Sequence, residues 1–116
     1  MKLPCVEKAV VPKEKITEYL LSPEHWSGKE KAAFFMRYGF HPNEWRGLAD
    51  ALMEHAAEND IENVEKTYFG KKYIIEGEIA TPSGRRPVIR AVWFIEKGES
   101  IARFVTAYPV ERRKRI

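Results

Sequence analysis

The sequence predicts an α+β fold, with three N-terminal helices packed on a four-stranded antiparallel β-meander. Three observations point there. Apolar residues recur every three or four positions through the first half of the chain. The period changes to two after Asn59-Asp60. Turn residues then divide the second half at Gly70, at Thr81-Pro82-Ser83-Gly84 and at Lys97-Gly98-Glu99. Helices followed by turn-linked strands form an α+β domain rather than a parallel α/β one.

Lys2 to Val11 reads as an extended lead-in. Pro12 suits the first turn of a short helix, where its missing N–H costs nothing. Ile16, Tyr19 and Leu20 give that helix one apolar stripe, and Ser22-Pro23 breaks it. Ser27 and Glu30 form a capping box ahead of Ala32-Ala33-Phe34-Phe35, and Gly39 supplies the left-handed stop. The third helix begins at Pro42, with His41 at its N-cap, and runs through Trp45, Leu48, Ala49, Leu52, Met53 and Ala56. Four strands follow: Glu62 to Tyr68, Lys72 to Ile79 with Gly77 a candidate bulge, Pro87 to Ile95, and Ile101 to Tyr108, stopped by Pro109. A last hairpin closed symmetrically about Gly98 sets Arg90 opposite Thr106, Val88 opposite Tyr108 and Val92 opposite Phe104. These six side chains would then share one face.

Length and composition bound the function. The chain has 116 residues, enough for one domain over 1–110 with a basic tail over 111–116 that is expected to be disordered. The net charge of +3 comes from that tail. It holds four of the 20 basic residues and one of the 17 acidic ones, which leaves 16 of each in the body. The tail is a candidate contact for a polyanion, whereas the body is neutral. Apolar runs such as Ala91 to Ile95 fall far short of the ~20 residues that span a bilayer. Met1-Lys2-Leu3-Pro4 lacks the pattern of a secretion leader. A cytoplasmic protein with no membrane contact is therefore expected. A single cysteine, Cys5, excludes an internal disulfide or a multi-thiolate zinc site, and it reads as a small buried apolar residue.

Little in the chain is arranged for chemistry. A glycine-rich phosphate loop, a GxSxG elbow and an HExxH pair are all missing, and no metal or cofactor is expected. His55, with Glu54 and Glu58, is read as decorating an exposed helix end. His25 stands out because it lies in a loop that runs into a helix N-terminus bearing Lys29 and Lys31. An imidazole there suits acid–base work near neutral pH, and the two lysines suit phosphate. The bland alternative is a histidine that tethers its loop. Arg90 lies in an otherwise apolar strand and needs a partner. That partner is either Glu76, Glu78 or another carboxylate, or a phosphate held by two parallel hydrogen bonds. Trp93 and Tyr108 are candidates to stack on bases, although strand aromatics are more often core. The stretch from Asp50 to Glu65 has six carboxylates and no lysine or arginine, so a nucleic acid would have to bind elsewhere.

Several segments resemble an uncharacterised family of small bacterial domains that is also found at the C-termini of polymorphic toxins. They are Met1-Lys2-Leu3-Pro4 with Glu7 to Val10, Tyr19 to His25 with Gly28 and Lys31-Ala32, Gly39-Phe40, Arg90 to Ile95, and Thr106-Ala107-Tyr108-Pro109. The layout also resembles the barnase–EndoU–colicin–RelE superfamily of metal-independent ribonucleases. That resemblance implies RNA cleavage by the 2′-hydroxyl. His25, Arg90 and Thr106 would be catalytic, with Lys29, Lys31, Trp93 and Tyr108 toward the substrate. RNA is the partner on this reading. The alternative is a non-catalytic interaction module, or the immunity or antitoxin partner of a toxin system, bound to a small protein. The oligomeric state is left open.

Overall fold

The structure is a computed structural model that describes residues 1–21 and 29–110, with the Lys29 side chain outside that set. Helix α1 (Lys13–Lys15) continues directly into a π-turn, Ile16–Leu20. The Leu21 N–H reaches the Ile16 carbonyl five residues back, at 2.7 Å. Ile16, Leu20 and Leu21 are fully buried. Helix α2 (Lys29–Arg37) ends at Gly39, whose φ of 105° suits glycine. Helix α3 (Trp45–Glu58) follows a 3-10 turn, Pro42–Glu44. The expected cap is present: the Asn43 N–H donates to His41 Nδ1 at 3.2 Å. Ser22-Pro23 and the Ser27 capping position lie outside the described residues.

Four strands follow: β1 (Ile61–Thr67), β2 (Gly70–Glu78), β3 (Val88–Glu96) and β4 (Arg103–Pro109). They form one antiparallel sheet in the order β1-β2-β3-β4. The α+β class with three helices and a four-stranded antiparallel sheet is as expected. The N-terminal segment adds a contact with no signature in the sequence. Val10 bridges Arg103 in parallel, taking the Phe104 N–H and giving its own N–H to Ala102, both at 2.9 Å.

Leu48, Leu52 and Ala56 of α3 pack against one sheet face, made of Tyr73, Ile75, Ile89, Ala91, Trp93 and Ile95. Complete burial of each large side chain contributes roughly 1.5–3 kcal/mol. Trp93 meets Phe104 edge-on, with ring centroids 5.5 Å apart.

Several expectations need correction. The β2–β3 ladder is unbroken through Gly77, which faces Ile89, so no bulge sits there. Gly77 instead makes room for Asn59, since a Cβ on Gly77 would collide with the Asn59 side-chain amide. The break lies in the β3–β4 ladder, between Val92 and Trp93. Arg90 consequently faces Tyr108, and Val92 faces Thr106. Phe104 moves to the core face opposite Trp93. Arg90, Thr106, Tyr108 and Val92 still share a face, the one turned away from α3. His55 is not an exposed ornament: it is 1% exposed, with Nε2 3.2 Å from the Gly77 carbonyl oxygen. Cys5 is exposed, with a left-handed φ of 48° at the start of a 3-10 turn, rather than buried. Among the described residues no helix is long and apolar enough to cross a membrane.

Candidate functional site

The bulge in β4 determines what gathers on the open sheet face. Val105 is the extra residue between Phe104 and Thr106. Phe104 turns inward beyond it. Thr106 and Tyr108 turn outward, two residues apart and thus ~7 Å apart along the strand. Both are partly buried.

Two polar groups meet this pair. The first comes from the helical half. Tyr19, in the π-turn, brings its Oη to within 3.1 Å of Thr106 Oγ1. Lys31 of α2 donates from Nζ to the same phenolic oxygen at 2.5 Å, and its ammonium lies 5.0 Å from the ring centroid. Lys15, one helical turn before Tyr19, places its Nζ 5.8 Å from the same centroid. Burial acts to raise the pKa of the phenol. The hydrogen bonds from Lys31 and Thr106, and the charges of Lys31 and Lys15, outweigh burial and hold it below its ordinary value.

The second group comes from the sheet itself. Arg90 donates from Nε at 3.2 Å and from Nη2 at 2.6 Å, both to Glu76 Oε1. Glu76 is its direct cross-strand neighbour on β2. Glu76, and after it Tyr108, raise the pKa of the guanidinium above its usual value, so Arg90 stays charged. The Arg90 side chain is 38% exposed and the pair is not sealed in the interior. An incoming phosphate could therefore compete with the carboxylate for the arginine.

Of the residues predicted from sequence, Arg90, Thr106 and Tyr108 share this face, and Lys31 reaches it through the Tyr19 oxygen. Trp93 does not. It is fully buried on the other face, and its ring is not available to a base. His25 and the Lys29 side chain lie outside the described residues. Among the described residues, no group of three or more histidine, cysteine or acidic side chains is placed to hold a metal ion.

Tyr19 is the residue that sequence reasoning passed over, because its place in the Ile16-Tyr19-Leu20 stripe marked it as core. The available signal was the lone phenol in an aliphatic stripe, with a lysine one turn earlier. A separate cavity of about 580 Å³ lies at the far end of the sheet, between the β1–β2 and β3–β4 turns, and holds none of these residues. Beside it stand Tyr68 and Phe69, 82% and 72% exposed.

Residues 2–111 match the model of a family described as Domain of unknown function (DUF6883). The chain belongs to that family. No curated protein matches it at a significant level. Among solved structures, this DUF6883 domain is similar to a chain of a contact-dependent growth inhibition toxin–immunity protein complex from Klebsiella pneumoniae 342. The TM-score is 0.68 at 23% identity, over 88% of this chain and 100% of that one. At this identity the likeness is one of fold.

Proposed function

We propose that residues 1–110 form a toxin-type endoribonuclease domain that cleaves RNA through its 2′-hydroxyl without needing a metal. The observation that carries this reading is that Lys31, from the helical half, reaches Thr106 through the Tyr19 oxygen, while Arg90, from the sheet, stands opposite Tyr108. Two cations beside two hydroxyl groups suit a phosphodiester whose charge grows in the transition state. The fold likeness to a toxin–immunity complex supports a role in such a system.

In the reaction, the 2′-oxygen attacks phosphorus and the bond to the 5′-oxygen breaks. Arg90 and Lys31 stabilise the extra negative charge on the phosphorane oxygens. Thr106 orients one of those oxygens, and Tyr108 lies against the bound nucleotide. His25 moves a proton to or from the reacting oxygens, and Lys29 adds to the positive field.

The test is RNA cleavage in the presence of a chelator, comparing wild type with His25→Ala, Arg90→Ala and Thr106→Ala. Wild type is expected to cleave, with each variant slower by ~10²-fold or more and still folded by circular dichroism. Equal, negligible turnover in all four proteins would end the enzyme reading.

A specific observation favours a second reading, a non-catalytic partner of immunity type. The exposed Tyr68 and Phe69 stand beside an apolar cavity, which suits burial against another protein. Expression in a bacterial host separates the two. A ribonuclease arrests growth, whereas an immunity-type module leaves growth unchanged.

A further inference from the structure

The ribonuclease reading needs a group that removes a proton from the 2′-hydroxyl. Three observations converge on Tyr19 for this task, which leaves His25 to supply the proton that the departing oxygen needs. The Tyr19 oxygen is the point where the helical half touches the sheet site, 3.1 Å from Thr106 Oγ1. It accepts a hydrogen bond from an ammonium that also lies over its ring. A second ammonium, that of Lys15, flanks the ring at 5.8 Å. Lys31 comes from α2, Lys15 from the same helical segment and Thr106 from β4. One ammonium and a hydroxyl therefore touch this oxygen, and a second ammonium stands near its ring. A phenol in that setting gives up its proton more readily than a free tyrosine does.

We propose that Tyr19 is the general base of the site. The proposal rests on the ribonuclease reading and deepens it. The Tyr19 phenolate accepts the 2′-hydroxyl proton as the 2′-oxygen forms its bond to phosphorus. The bond from phosphorus to the 5′-oxygen breaks, leaving a 2′,3′-cyclic phosphate. The departing 5′-oxygen takes its proton from His25, which regains one from solvent while Tyr19 releases its own to solvent, so no co-reactant is consumed. Lys31 holds the phenolate before the reaction and stays close to the phosphate during it. Thr106 fixes the direction of the Tyr19 oxygen.

The test joins a titration to a pH–rate profile. Phenolate absorbance is followed with pH in wild type, Tyr19→Phe and Lys31→Met. Of the five tyrosines, one is expected to ionise below the others in wild type. That phase should vanish in Tyr19→Phe and move to higher pH in Lys31→Met. RNA cleavage by Tyr19→Phe at neutral pH should fall ~10²–10⁴-fold, the usual range for loss of a general base. In Lys31→Met the rising limb of the pH–rate curve should shift upward along with the phenol, which a purely structural tyrosine would not produce. Cleavage by wild type with an equal rate in Tyr19→Phe overturns the proposal and leaves the ribonuclease reading standing. A wild type that cleaves no RNA overturns both. An early-ionising phenol that persists in Tyr19→Phe also overturns the proposal, because another tyrosine would then be its source.

Discussion

His55 shows how a residue's surroundings decide its role. It sits on α3 with Glu54 and Glu58 near it in sequence, a pattern that suggested a solvated helix end. In the fold its ring is buried against β2, beside the backbone of Gly77 and Ile89. Burial lowers its pKa and outweighs the backbone hydrogen bonds that act to raise it. The sign of the consequence follows. The folded state holds the neutral imidazole, and the unfolded chain takes up a proton at about the ordinary value near 6.5. The stability linked to His55 is therefore complete above that value and is lost as pH falls through the lower folded pKa. Urea unfolding at pH 7.5 and at pH 5 should show a midpoint that falls with acidity. His55→Phe should flatten that dependence, and an unchanged slope in the variant would contradict this account. Arg90 was legible from sequence alone, since a guanidinium in an apolar strand had to find a partner. The sequence also named Glu76 among the candidates. Tyr19 was not legible, because its spacing is that of a core stripe and its partners lie 12 and 87 residues away.

At the scale of elements, both glycine and register depended on contacts between segments. Gly77 suggested a bulge because glycine weakens a strand. Its actual role is to let α3 dock. Asn59, at the end of α3, donates from Nδ2 to the His55 carbonyl at 2.9 Å and to the Glu78 carbonyl at 3.4 Å, and its side chain fills the space above Gly77. A methyl group there must displace Asn59 and break those bonds. Gly77→Ala is thus expected to lose ~1–3 kcal/mol, read as a lower midpoint in urea. Wild-type stability in that variant would show that Asn59 can move at no cost. The bulge in β4 was invisible in the sequence for a related reason. Nothing local distinguishes Val105 from its neighbours, and the extra residue exists so that Phe104 can reach Trp93 while Thr106 stays on the open face. A symmetric hairpin would have sent Phe104 outward. Strand existence, turn positions and the His41 cap were legible because each follows from short-range chemistry. Pairing across the hairpin was not.

Over the whole molecule, the change of period near residue 60 was enough to anticipate an α+β arrangement, because each half of the pattern needs the other to bury its apolar face. The path of the first ten residues was not legible. An extended segment carries no period of its own, and Val10 finds its place only through the exposed edge of β4. The polar cluster likewise forms only at this scale. Lys31 and Tyr19 belong to helical segments, while Thr106, Tyr108, Arg90 and Glu76 belong to the sheet. They meet where the helices wrap the β4 edge. Four of the residues named from sequence were recoverable as chemical types, but their meeting point was fixed by folding.

The most direct measurement is end-group analysis of RNA incubated with the purified protein and a chelator. The account predicts fragments ending in 2′,3′-cyclic phosphate and beginning with a 5′-hydroxyl, and no cleavage of a substrate carrying 2′-deoxyribose at the scissile position. Intact RNA, or fragments bearing 5′-phosphates, would contradict it.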